Sequence, residues 1–458
     1  MNDPEKNLDE RIQQLISIIK CSGGIHLETV QNAIAFGRKM HEKQFRKSGE
    51  LYFTHPIQVA MLATEYNLDT ETVVASLLHD VVEDTPATVK DVESLFGATV
   101  GKMVDALTKV KTSKKLTLYK LFNLGHIDFR AILIKLLDRL NNLSDLENLP
   151  RAKQRSICLE TSTIYCEVAN GLGLIEIEEK LRDLVFQHSY PRSYQEISND
   201  LDLFYNERHM AIQRIIIKIV DCISPDLLQS ISPLYFSTGD FMFKRDKILR
   251  ILESITIETY NPEDCYRIMG QIHTQMRSIP LSIRDYISNP KANGWRGIST
   301  RVIVNGEPVS ISIVTKEFQE KNRRGLITLV NEGIYQSDDY VKIMELFLDV
   351  AHDAVRIEDV FRHSKAKTIQ TLTPKGELVE LRYGATILDF AFSIHSDLGL
   401  KCTGGIIDNV RYLPNKILED GMIVKVLSGD KKLAKKEWIK DVVMPKARKE
   451  ILKYTSTD

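Results

Sequence analysis

Residues 76–85 read SLLHDVVEDT, and the reading of this stretch decides the first domain. Leu77, Leu78, Val81 and Val82 are apolar, yet four ionisable residues sit among them: His79, Asp80, Glu83 and Asp84. On a helix, His79 and Glu83 share a face, and so do Asp80 and Asp84. Burying these groups unpaired would cost several kcal/mol. A divalent cation satisfies them economically, and imidazole with carboxylate suits a transition metal such as Mn, Fe or Zn.

Working outward, further helical stripes flank this stretch. Val30, Ile34, Gly37 and Met40 form one, and Ile57, Ala60, Met61 and Thr64 another, with Pro56 in the first turn where proline is tolerated. Val73, Val74, Leu77, Leu78 and Val81 form a third, and Ala131, Ile134, Leu137 and Leu140 a fourth. The fourth stripe carries one acid, Asp138, in AILIKLLDRLNNL, and an acid there needs a partner. Upstream, Arg46-Lys47-Ser48-Gly49 precedes His55-Pro56. Each piece alone has a plainer reading: His55 as a helix cap, Asp138 as a satisfied core carboxylate, Arg46-Lys47 as solvated charge. Their joint occurrence in this order favours a metal site.

After about residue 200 the pattern changes. ITIETY, TRVIVNG and VSISIVT alternate like strands, while EDCYRIMGQIHTQM and DDYVKIMELFLDVAHDAV read as helices, so this stretch is expected to be α+β. From about residue 368, two short strands around the Pro374-Lys375-Gly376 turn precede a helix opening near Thr386. Asp408-Asn409 and Glu419-Asp420-Gly421 mark later turns. A small β-grasp module is expected here, followed from Asp430 by a basic helical tail. Lys431, Lys432, Lys435 and Lys436 are read as a solvated linker with some capacity to touch phosphates.

The chain has 458 residues, which at roughly 150 per domain suggests about three domains. At 43% hydrophobic and 27% charged residues it has material for several cores, which excludes general disorder. Lys+Arg 61 against Asp+Glu 62 leaves no global field to attract nucleic acid or membrane. Cys21, Cys158, Cys166, Cys222, Cys265 and Cys402 contain no CxxC pair, so a zinc ribbon or dithiol redox site is not expected. The charged start, MNDPEKNLDERIQQL, lacks a secretory apolar region, and no apolar run approaches membrane length, so a cytoplasmic location is expected.

His55, His79-Asp80 and Asp138 in this order resemble the ligand set of HD metallohydrolases. HEKQFRKSGELYFTHP, SLLHDVVEDT, VDALTKV and ILIKLLDRLNNL closely resemble the hydrolase half of the RelA/SpoT alarmone enzymes. The resemblance continues through ETSTIYCEVANGLGLIEIEEKLRDLVF and DCYRIMGQIHTQMRSIPLSIRDYISNPKANGW, and TPKGELVELRYGATILDFAFSIHSDLG looks like their TGS domain. The implied architecture is an all-α HD-type metallohydrolase domain (1–200), an α+β degenerate synthetase-like domain (201–360), a β-grasp TGS domain (366–429) and the tail (430–458). The implied activity is hydrolysis of (p)ppGpp to GDP or GTP plus pyrophosphate with Mn²⁺.

The resemblance assigns roles by motif. His55, His79, Asp80 and Asp138 would bind the metal; Glu83 and Asp84 would position and deprotonate water. Arg46, Lys47, Ser48 and Asn142 would contact the nucleotide. His395 matches a TGS histidine that meets the 3′ end of tRNA, which implies ribosome or uncharged tRNA as a partner. The chain departs from the family's DRLHNMRTL at Asn141, Ser144 and Asp145, and it is shorter between Lys109 and Arg130. In the middle domain NGYQSLHT reads NGWRGIST, placing Trp295 at the base-stacking position and Ser299 at the histidine. ExQxRT reads SISIVT, placing Ser310 at the glutamate and Val314 at the arginine, and Ile251 or Leu252 stands near the lost metal aspartate. Phosphoryl-type transfer needs metal and charge at the phosphates, so synthesis is expected to be lost. The further C-terminal domains of the family are not found. Alternatives are an HD phosphohydrolase of another purine nucleotide and a non-catalytic nucleotide- or tRNA-sensing regulator.

Overall fold

The computed structural model describes residues 4–109, 114–125, 128–235, 237–239, 254–290, 295–334, 368–374, 378–382, 384–407, 410–419 and 421–455. The second helix expected in the middle domain, Ile251, Leu252, Lys291 to Gly294 and parts of all three TGS turns lie outside the described residues. Two compact units divide the chain, Met1–Leu348 and Asp349–Asp458. None of the described helices is long and apolar enough to cross a membrane.

The first unit begins with helices α1 (Pro4–Ser22), α2 (Leu27–Met40), α3 (Thr54–Glu65), α4 (Thr70–Leu78), α5 (Val81–Asp84), α6 (Val89–Phe96), α7 (Ala98–Leu107), α8 (Lys114–Gly125) and α9 (Arg130–Ser144). α9 is the central element: Arg130 to Ile134, Leu136 to Asp138, Leu140, Asn141 and Leu143 are all buried. This follows from its composition, because a helix that is apolar nearly all round must be enclosed. Its first residue, Arg130, reaches Asp69 (2.7 Å) and Glu71 (2.9 Å) at the start of α4, as well as Asp128. Asp69 also caps α4 by accepting from the Thr72 amide at 2.8 Å. One buried guanidinium thus ties the starts of α4 and α9 together, about two turns before Asp138. The four stripes read from the sequence lie in these helices. α2 approaches the next segment so closely at Gly37 that a Cβ would stand 2.3 Å from the Phe53 ring.

The helical region continues with α10 (Arg151–Glu160), a π-helical turn at Thr161–Tyr165, α11 (Cys166–Gly171), α12 (Ile175–Ser189) and α13 (Pro191–Val220). The π turn sets Tyr165 under Arg139, whose guanidinium lies 4.2 Å from the ring centre and 2.9 Å from Glu160.

Then comes a five-stranded sheet in the order β1-β2-β5-β4-β3: β1 (Leu228–Pro233), β2 (Ser254–Thr259), β3 (Arg284–Asp285), β4 (Ile298–Val304) and β5 (Glu307–Thr315). β2 and β5 are parallel and the other pairs antiparallel. α14 (Pro262–Gln275) follows β2, and its apolar face meets Ile255, Ile257, Ile298, Val302, Val309, Ile311 and Ile313. α15 (Lys316–Arg324) and α16 (Leu326–Asn331) follow β5. The strands expected from ITIETY, TRVIVNG and VSISIVT are β2, β4 and β5.

The second unit carries a hairpin, β6 (Thr368–Leu372) and β7 (Leu378–Arg382), and a three-stranded sheet of order β10-β8-β9 formed by β8 (Cys402–Ile407), β9 (Val410–Tyr412) and β10 (Lys425–Ser428). α17 (Ile387–Ile394) opens at Thr386 with a capping box to Asp389, and the short α18 (Ser396–Leu400) follows. The tail is helical over its last part, and its basic run, with Lys431, Lys432 and Lys435 exposed, is anchored rather than a free linker. Ala434, Val442, Ala447 and Ile451 join the same core as Phe390 and Phe392, and α19 (Pro445–Thr455) packs on it. The physical reason is the apolar spacing beneath the lysines, which the basic run obscured. Asp389 fixes the connection by accepting from the Val443 and Met444 amides.

Candidate metal centre

His55 is the second residue of α3 and Asp138 lies mid-α9, so both stand on firm helices. His79 and Asp80 are placed differently from the single-helix expectation. α4 stops at Leu78, and α5 begins only at Val81. The reason is local: the His79 Nδ1 bonds to the Ser76 carbonyl at 2.7 Å, competing for an acceptor of the helical ladder. The turn sends Asp80 inward beside His79 rather than one face along, while the Asp80 carbonyl accepts from the Glu83 and Asp84 amides to start α5.

The four groups converge. His55 Nε2 lies 3.1 Å from Asp138 Oδ1, and His79 Nε2 lies 3.2 Å from Asp80 Oδ2. The crossed pairs, His55 with Asp80 and His79 with Asp138, are each 3.8 Å apart. The two rings meet edge to face at 5.2 Å. His55 Nδ1 bonds to Asn141 Oδ1 at 2.6 Å, so with both Nδ1 atoms as donors both Nε2 atoms face the centre. His79 Nε2 is buried without a hydrogen-bond partner among the described residues.

An orphaned imidazole nitrogen among two carboxylates and a second imidazole would suit a divalent cation; His55, His79 and Asp80 form a group that could hold one, with Asp138 Oδ1 adjacent, 3.1 Å from His55. Electrostatics agrees. Burial opposes charge on Asp80 and Asp138, yet the histidines, and Lys135 for Asp138, hold both carboxyls below the usual range. Burial works against a charged His79, but Asp80 and Asp138 raise it to about 9 in the ion-free protein.

A surrounding shell orients these groups. Lys135 Nζ sits 2.7 Å from Asp138 Oδ2, and Asn142 Nδ2 donates to Asp138 Oδ1 at 2.5 Å. Asn141 also donates to Gln58 at 3.0 Å. The Tyr52 hydroxyl lies 2.8 Å from carboxylate oxygens of both Asp80 and Asp84, and its one proton serves one of them at a time. Burial and these two acids push the Tyr52 hydroxyl far up, so it remains a donor. Glu83 turns to Lys109, 2.6 Å away. Arg46 pairs with Asp145 just past α9, and Lys47 and Ser48 are exposed at the tip of the Phe45–Leu51 hairpin.

Asn142 is thus drawn to the metal aspartate as well as standing near the expected nucleotide side. Asp138, Asn142 and Asp145 follow one face of α9 from the centre towards Arg46. Lys135, Asn141, Tyr52, Gln58 and Lys109 were not picked out as site residues from the sequence. Lys135 was findable as the residue three before Asp138; Asn141 stood only as a departure from DRLHN. In the region of the five-stranded sheet, Trp295 meets Tyr286 edge to face at 5.4 Å, and Ser299 and Ser310 lie on β4 and β5. His395 is exposed at the start of α18, where its Nδ1 accepts from the Asp397 amide at 3.1 Å.

A helical core holding a two-histidine, two-aspartate centre, joined to a mixed sheet and a small β-grasp unit, defines a multidomain protein of the HD type. Residues 33–175 match the HD domain, residues 244–331 the region found in RelA / SpoT proteins, and residues 369–428 the TGS domain. A relative in Haemophilus influenzae named guanosine-3′,5′-bis(diphosphate) 3′-pyrophosphohydrolase is 32% identical over 91% of this chain and 66% of its own. The bifunctional (p)ppGpp synthase/hydrolase SpoT of Escherichia coli is 31% identical over 93% and 64%. An Aquifex aeolicus protein carrying the pyrophosphohydrolase name is 30% identical over 98% and 67%. The chain therefore belongs to the RelA/SpoT family, and it spans about two thirds of the length of these relatives.

Proposed function

We propose that this chain hydrolyses (p)ppGpp at the 3′ position, releasing pyrophosphate and leaving GDP or GTP, with Mn²⁺ as the ion and without synthesising the alarmone. The carrying observation is the buried centre in which His79 Nε2 has no hydrogen-bond partner among the described residues and His55 Nε2 points the same way. A bound divalent ion supplies an acidified water and a polarised phosphoryl oxygen. The residues do the rest. Asn141 and the Ser76 carbonyl hold the imidazoles in the ligating tautomer. Asp84, linked to Asp80 through Tyr52, and Glu83, held by Lys109, stand at the rim to take the proton of the attacking water. Water oxygen forms the new bond to the 3′ phosphorus, the bond from phosphorus to O3′ breaks, and O3′ takes a proton.

The loss of synthesis rests on Ser299 and Ser310 standing where the family resemblance puts an imidazole and a carboxylate. The TGS domain is the candidate contact for uncharged tRNA or the ribosome, with the exposed His395 as its contact residue. The test is to incubate the purified chain with Mn²⁺ and ppGpp, and separately with ATP and GDP, and to resolve the products. Pyrophosphate and GDP in the first reaction and no ppGpp in the second are expected. Asp80→Ala should lose turnover and metal together, and full turnover by that variant would overturn the assignment.

A further inference from the structure

Asp84 is exposed, and α5, which carries it, is one turn of four residues. A carboxylate on so short an element needs holding from outside if it is to meet a reacting water in register. Asp84 is held at both ends, and both holds come from the segment between α2 and α3. The Tyr52 hydroxyl reaches its carboxylate at 2.8 Å. The Gln44 side-chain nitrogen donates to its main-chain carbonyl at 2.8 Å.

The two holds meet at Gln44. Its own carbonyl accepts from the Tyr52 amide at 2.8 Å, and its side-chain oxygen lies 2.8 Å from His41 Nδ1. The orientation of that side chain follows from chemistry. The Asp84 carbonyl can only accept, so the Gln44 nitrogen faces it and the Gln44 oxygen faces His41. Nδ1 of His41 is then the donor. Burial pushes the His41 imidazole down, against the pull of Gln44, Asp80 and Asp84, which favours the neutral ring with its proton on Nδ1. His41 is 2% exposed, its ring stacks on Tyr52 with centres 5.0 Å apart, and its Nε2 has no hydrogen-bond partner among the described residues. The one side-chain hydrogen bond that His41 makes among the described residues therefore fixes Gln44.

The turn that delivers Gln44 is strained. The Gln44 amide closes it on the His41 carbonyl at 3.1 Å, and Lys43 within it sits at φ +66, a left-handed backbone that glycine favours and lysine resists. Such strain persists where the surroundings over-determine it, and it gathers at functional sites.

We propose that Gln44 is a positioning residue for hydrolysis: with its amide held by His41, it fixes the main chain at Asp84 and so sets the reach of the Asp84 carboxylate towards the attacking water. This rests on the hydrolytic reading above and adds to it a residue that acts only through another. The side-chain bonds of Gln44 go to His41 and Asp84 and to none of the four converging residues.

Steady-state hydrolysis of ppGpp by the full chain with Mn²⁺ tests this. Gln44→Met keeps the length of a half-buried side chain and removes both bonds. It should lower kcat about tenfold, the scale of one lost positioning hydrogen bond, with KM and bound Mn²⁺ within twofold of wild type. Gln44→Glu keeps the acceptor for His41 and turns a second acceptor on the Asp84 carbonyl; it should lower kcat at least as far, and it guards against a folding defect peculiar to the first variant. The decisive arm is a double-mutant cycle. Asp84→Asn is slow by itself, and adding Gln44→Met to it should change kcat less than twofold, because the group through which Gln44 acts is already disabled. A tenfold loss repeated in the Asp84→Asn background, a loss that appears in KM or in Mn²⁺ content instead, or wild-type kinetics in both Gln44 variants would overturn the proposal and leave the hydrolytic reading standing. A wild-type chain that does not hydrolyse ppGpp would overturn that reading, and this inference with it.

Discussion

Asn141 shows how one residue governs the chemistry of another. Its side-chain oxygen accepts a hydrogen bond from His55 Nδ1 and its nitrogen donates to Gln58, so its orientation, and with it the His55 tautomer, is set from behind. Outer partners of ligating histidines typically contribute roughly 10–100-fold to metal affinity. Asn141→Ala is therefore expected to weaken Mn²⁺ binding by about that factor, as read by equilibrium dialysis, while the helical fold persists in circular dichroism. Unchanged affinity would remove Asn141 from the site. Glu83 belongs to a different class. Its side chain is 18% exposed and bonded to Lys109. Glu83→Gln should keep the metal and lower turnover by about 10² or more, the scale of a lost general base. An empty site in that variant would place Glu83 among the ligands. Chelation should lower the melting temperature of the protein, since an ion bound only by the folded state stabilises it.

At the scale of elements, the helices were legible where apolar residues repeat with helical spacing, and the strands where they alternate. α2, α3, α9, β4 and β5 followed directly from that rule. The break between α4 and α5 was not legible, because Leu77 to Val82 keep a helical apolar pattern across it and the interruption comes from a side chain bonding the backbone. Lys135 escaped for a related reason: pairing a lysine with an acid three residues on looks like any surface pair until the helix is known to be buried. The packing of the tail was not legible because lysines dominate its composition and hide Ala434, Val442, Ala447 and Ile451, which enter the core. Truncation after residue 430 would strip Val442, Ala447 and Ile451 from the core of the second unit and leave the Asp389 carboxylate without the Val443 and Met444 amides. Each large apolar side chain withdrawn from a core costs about 1.5–3 kcal/mol, comparable to a small domain's whole stability in sum. Residues 366–429 expressed alone should be unfolded or molten, and residues 366–458 cooperatively folded. A sharp thermal transition for the shorter piece would show the tail to be dispensable.

At the scale of the first unit, the sheet region is built into the helical region through α15, α16 and the turn between them. The Leu326 amide donates to the Leu172 carbonyl at 3.2 Å, Arg323 pairs with Glu176 at 3.3 Å, and Asn331 reaches the Tyr66 carbonyl at 3.4 Å. Leu172 and Glu176 bracket the start of α12, which packs on α9 and so stands one helix from Asp138. A cut at residue 200 falls inside α13 and would confuse loss of this contact with loss of a helix. Gly325 is the better probe. It sits at φ +47, and a Cβ there would stand 2.4 Å from the backbone of Gly173 and of Leu172. Alanine can be accommodated only if the two surfaces part, and backbone strain of this kind costs about 1–3 kcal/mol. If the sheet region steadies α12 and through it α9, Gly325→Ala should lower the melting temperature and change the hydrolytic rate several-fold, with Mn²⁺ content unchanged. The expected direction in kcat rather than KM follows from the route of the contact, through α12 to α9, the helix that carries Asp138. Full-length Gly325→Ala with a lowered melting temperature but wild-type kcat and KM would show that the sheet region is attached to the hydrolytic centre without being coupled to it.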